Sequence, residues 1–131
     1  MKSISNAFLI AGVVSVVGGM AWGIQMSATH DHTLAPAHAH LNLLGWVSFA
    51  IFAFYYRLVP EAAEGLLPRL HFGLAVGGLG TLVPGIVLAI TGQGETLAKL
   101  GSVLSLASML VFLWVVVRAA LRGRAGVPAA A

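Results

Sequence analysis

Four apolar runs, each about twenty residues long and almost free of charge, follow one another along this chain with only short polar joins between them. Coiled as an α-helix at ~1.5 Å per residue, a run of that length matches the ~30 Å hydrocarbon core of a bilayer. Lipid offers nothing to hydrogen-bond to peptide groups, so a spanning segment must satisfy them internally, and a continuous apolar run does this as a helix. The rest of the composition agrees. With 59% of 131 residues hydrophobic and 8% charged, a water-soluble core of this size could not hide the apolar surface.

The expected fold class is therefore all-α: an integral membrane protein with four transmembrane helices in a single domain, 1–124, and a disordered tail over 125–131. The runs fall at about 5–26, 36–59, 69–91 and 96–117. Pro36 suits a first helical turn and Pro60 stands just past the end of the second run. The first run exceeds the length of a signal-peptide core, and the residues after it offer no convincing cleavage site, so it reads as a retained helix. Tyr55, Tyr56 and Arg57 mark the far interface of the second helix. The third holds Gly77, Gly78, Gly80 and Gly85, which permit close helix contact, and Pro84, which is expected to bend it.

Charge gives the expected orientation. Lys2, Arg57, Arg69, Arg118, Arg122 and Arg124 fall on the side of the two termini, and Lys99 falls opposite. The positive-inside rule then places the termini in the cytoplasm and the histidine-rich first loop on the outer face of a membrane, such as a bacterial inner membrane. Basic residues distributed in this way are explained by topology, and nucleic acid is not an expected partner. The absence of cysteine removes disulfides, thiolate metal sites and iron–sulfur clusters, and leaves histidine as the best metal ligand.

Four of the five histidines, His30, His32, His38 and His40, lie within eleven residues, and His38 and His40 open the second apolar run. Imidazoles at membrane depth are costly and usually face a cavity, a partner or a cofactor. At roughly 100° per residue, His38 and His40 point about 200° apart, so two cofactors or two interfaces can use them more readily than one ion can. The bland alternative is snorkelling to the interface or bonding to a neighbouring helix. His30 and His32 read first as solvated loop residues, and His71, beside Arg69 at a helix start, as an interface histidine. Glu61, Glu64 and Glu95 show no pairing for acid–base catalysis.

The stretch from Asp31-His32-Thr33 through HAHLNLLGWVSFAIFAFYYRLVP resembles the tenth transmembrane helix of the heme–copper oxidase catalytic subunit, closest to the cbb3 type. Leu70-His71-Phe72 and Ile90-Thr91-Gly92-Gln93-Gly94 resemble the ends of that subunit's next helix. The resemblance implies that His38 ligates a high-spin heme and His40 a low-spin heme. A full oxidase subunit has about twelve helices, a second axial histidine from another helix and a further histidine cluster for copper; this chain has four helices and lacks most of these, and it matches no cross-linked tyrosine. Oxygen reduction by a lone copy is therefore not implied.

The family's four-helix arcs suggest that three copies close into a ring, with His38 of one protomer and His40 of its neighbour holding a heme b between them. Asn42 and Trp46 are then candidate cofactor contacts, and apolar neighbours would line the porphyrin slot. The expected function is electron transfer or binding of O2 or NO, with an unidentified redox partner. Two alternatives remain open: a copper or zinc carrier that uses His30, His32, His38 and His40 to serve respiratory complexes, and a cofactor-free assembly partner.

Overall fold

A computed structural model describes residues 2–125, with side chains from 4 to 123; the expectation for the tail beyond Ala125 lies outside the described residues. Helix α1 covers Lys2–Thr29. The second span is built from three consecutive pieces: α2 (Ala35–His40), a π-helical run (Leu41–Ser48) and α3 (Phe49–Leu58). After a 3-10 turn, Pro60–Ala63, come α4 (Leu67–Ile90) and α5 (Thr96–Ala125). No strand occurs among the described residues, and all four spans are long and apolar enough to cross a membrane. The chain is an all-helical membrane protein of four spans.

The helices run up and down, so the starts of α2 and α5 share one end, with the histidine loop, and the ends of α3 and α5 share the other, with the arginines. Many large apolar side chains, among them Ile24, Leu58, Leu66 and Val103, are exposed, as lipid-facing residues are. The buried positions are few and form two kinds of contact. Along most of their length the helices meet through small residues, and at the arginine end they meet through aromatic rings.

The small-residue contacts set the pairing of spans. On α1, Gly12, Ser15, Gly19 and Gly23 recur at helical spacing and receive Trp46 and Phe49, Gly45, Asn42 and His38 of the second span in turn. A Cβ on Gly45 would stand 2.6 Å from Cβ of Ser15, so the two backbones approach as closely as glycine allows. Between α4 and α5, Gly78 faces Ser105, Gly85 faces Ala98 and Gly101 faces Leu82. Gly77 and Gly80 meet nothing and look outward, so only part of the glycine-rich stretch serves this contact. Helix α4 continues through Pro84, which is exposed.

At the arginine end, Phe8 of α1, Phe49, Phe52 and Tyr56 of α3, His71 and Phe72 of α4, and Phe112 of α5 bring all four spans into one cluster. Phe8 sits at its centre, with ring centroids 4.9 Å from His71 and 5.3 Å from Phe52. Ser5 ties α1 to α3 by donating to the carbonyl of Ala53 at 2.8 Å. Tyr56 and His71, expected at the membrane surface, are instead almost fully buried in this cluster.

Candidate functional site: the histidine end of the second span

The loop that delivers the histidines is ordered by its own polar groups. Helix α1 ends at Thr29, and His30 takes φ 56°, the left-handed cap conformation usually given to glycine. Oδ1 of Asp31 then accepts the amide of Thr33 at 2.9 Å, and the Thr33 side chain first, with this amide second, holds the Asp31 carboxyl below its ordinary range. The amide of Ala35 donates to the carbonyl of His32 at 3.0 Å, and Pro36 stands in the first turn of α2. His30 and His32 are exposed.

His38 and His40 leave α2 into different surroundings. His38 is half-buried against α1: a Cβ on Gly23 would lie 3.2 Å from its Cε1, and its ring meets Trp22 edge to face at 6.1 Å. Asn42 stands beside it, with Nδ2 3.3 Å from Nε2 and 3.4 Å from Nδ1, and the same amide donates to the carbonyl of His38 at 2.9 Å. His40 is exposed. Its Nδ1 donates to the carbonyl of Pro36 at 2.7 Å. A carbonyl can only accept, so Nδ1 is the donor, and in the neutral imidazole this tautomer leaves the lone pair on Nε2.

Asn42 and Trp46 are both engaged within the chain. Asn42 packs against Gly19, and Trp46 against Gly12, so His38, Asn42 and Trp46 form one stripe along α1. The π-helical run begins at Leu41, immediately after His40, and Ser48 donates to the carbonyl of Leu43 five residues back at 3.1 Å, in keeping with the wider turn. Such turns are frequent near functional sites, and nothing in the sequence pattern marks this one.

Among the described residues no three side chains of the His, Cys, Asp or Glu type converge on a point that could hold a metal ion. The four clustered histidines are thus close in sequence without forming a common cage. His71 lies with the aromatic cluster at the opposite end of the spans, hydrogen-bonded to Tyr56. No protein-family model, curated protein or solved structure matches this chain.

Proposed function

We propose that this is a heme-binding membrane protein in which the imidazoles of His40 and His38 serve as axial ligands to heme b at contacts between copies of the chain. The observation that carries the reading is the His40–Pro36 bond, because it occupies Nδ1 of an exposed imidazole and, in the neutral ring, leaves the Nε2 lone pair for a metal. Ligating histidines generally have their other ring nitrogen tied to an acceptor of this kind, which fixes tautomer and orientation. The donor set therefore fits a heme iron. His38, half-buried against α1, lies on the other flank of the same helix, so a second imidazole for the iron held by His40 would come from another copy. A ring of three copies satisfies every such contact by one rotation.

The surroundings support an apolar prosthetic group more than a bare ion. A heme needs one imidazole from each side and an oily slot, whereas a structural zinc or copper site needs three or four converging donors, which the described residues do not assemble. Heme iron supplies one-electron transfer when both axial positions are filled and binds O2 or NO when one is open. Asn42 holds the His38 segment by donating to its backbone, and the glycines of α1 close the inner flank against water. The arginine-rich end belongs on the cytoplasmic side of an inner membrane by the positive-inside rule, with the histidine loop outside.

Visible spectroscopy of the purified protein, with native mass and elemental analysis, tests the proposal. The expected result is a Soret band, iron at one heme or fewer per chain, and loss of that heme from His40→Ala and from His38→Ala with the oligomer intact. Replacing His30 and His32 together with alanine leaves the spectrum unchanged. Heme retention in both single variants, or copper without iron in the native protein, overturns it.

A further inference from the structure

At the arginine end, away from the histidines, the turn after α3 and the last third of α5 enclose a cavity of about 350 Å³. Its floor is apolar, from Leu67 and Val115, and its rim carries four charges: Glu61 and Glu64 from the turn, Arg118 and Arg122 from α5. Arg118 and Arg122 are one helical turn apart and so share a face. No ion pair joins these carboxylates to these arginines; the pair between Lys99 and Glu95, at the other end of the spans, is the only one among the described residues. Two cations and two anions thus line one opening without neutralising each other. The volume lies within the roughly 300–1,000 Å³ common for small-molecule sites.

We propose that this cavity binds the headgroup of a zwitterionic aminophospholipid, with the phosphate on Arg118 and Arg122 and the primary ammonium on Glu61 and Glu64. The cavity stands where the second and fourth spans end, at the depth of lipid headgroups, and its apolar floor suits the glycerol and the first acyl carbons. Guanidinium groups grip phosphate through paired hydrogen bonds. The two carboxylates exclude a purely anionic headgroup, whose phosphate would sit beside unpaired negative charge, and they favour a cation able to donate. A primary ammonium has three N–H donors for them, and the trimethylammonium of a choline lipid has none. The same phosphate-and-ammonium pair exists in free phosphoethanolamine, but the apolar floor and the placement at the end of the spans favour the lipid.

The test is native mass spectrometry of the full chain released from bilayers containing equal amounts of ethanolamine, glycerol and choline phospholipids. The expected result is retention of the ethanolamine lipid over each of the others by about tenfold, corresponding to ~1.4 kcal/mol. Arg118→Gln with Arg122→Gln removes retention of all three lipids, whereas Glu61→Gln with Glu64→Gln shifts the preference to the glycerol lipid. Circular dichroism identical to the unmodified chain establishes that both double variants fold. Equal retention of the three lipids, preference of the unmodified chain for the glycerol lipid, or unchanged selectivity in the folded variants overturns the proposal. Binding of free phosphoethanolamine without enrichment of its lipid overturns the assignment to a membrane source.

Discussion

Nδ1 of His71 lies 2.9 Å from the hydroxyl of Tyr56, inside a cluster where neither residue is more than 1% exposed, while Nε2 of the same imidazole has no partner. One polar bond thus joins α3 to α4 at the point where all four spans converge. Phe112 stacks on the imidazole at 5.3 Å and Phe52 meets it at 4.5 Å, so the unpartnered nitrogen is surrounded by rings. An N–H aimed at an aromatic face recovers a fraction of a hydrogen bond.

Tyr56→Phe strands the Nδ1 side of His71 and should lower stability by about 1–3 kcal/mol, the usual cost of a buried polar group that loses its partner. Adding His71→Leu to that variant should cost less than the sum of the two single changes, since the second removes the group that the first left unsatisfied. Equilibrium unfolding in detergent measures the cycle. Strict additivity would show that the bond carries no coupling.

Gly45→Ala would set a methyl group 2.6 Å from Cβ and 2.7 Å from Oγ of Ser15, a collision that requires backbone movement. Such overpacking costs about 1–3 kcal/mol. Ser15→Gly in the same chain should restore most of the loss, because it returns the missing space on the opposite helix. Thermal unfolding of the single and double variants reads this directly.

The Asp31–Thr33 turn should respond to acid. The carboxyl is held below its ordinary range, so the ionised form favours the ordered loop; the contribution is complete above the ordinary aspartate range and is lost as pH falls through the lowered value. The protection of the Thr33 amide, its exchange rate relative to an unstructured peptide at the same pH, should therefore be present at neutral pH and be lost in strong acid, whereas Asp31→Ala should show little protection throughout. Because the group is fully exposed, global stability should change little.

His30→Gly should be tolerated or mildly stabilising, by up to ~1 kcal/mol, since glycine adopts the left-handed φ without the clash of a Cβ. Unfolding of this variant beside His30→Val, which should be worse than the native residue, separates backbone strain from any role of the imidazole.

Much of this fold can be read from apolar run length alone, because lipid leaves so few solutions: the four spans and their approximate bounds follow from it. What run length does not report is which side chains face one another. Tyr56 and His71 look like interface residues because they sit beside Arg57 and Arg69 near helix ends, yet the rings of Phe8, Phe52 and Phe112 extend the core that far. The glycines of α4 look alike in sequence, but Gly78 and Gly85 meet α5 while Gly77 and Gly80 are open. His38 and His40 are conspicuous as a pair, whereas the bond to Pro36 that sets the His40 tautomer depends on a local turn. Glu61 and Arg118 are far apart in the chain, and only the turn after α3 brings them to one rim.

The π-helical stretch sets the angle between the two ends of the second span. Removing a single amino acid between Leu41 and Ser48 would leave the imidazole pair and the aromatic keystone each correctly folded while swinging one around the axis relative to the other, by roughly a quarter turn. The number of residues in that stretch, more than their chemistry, acts as the dial that sets the bearing of His40 relative to the aromatic keystone.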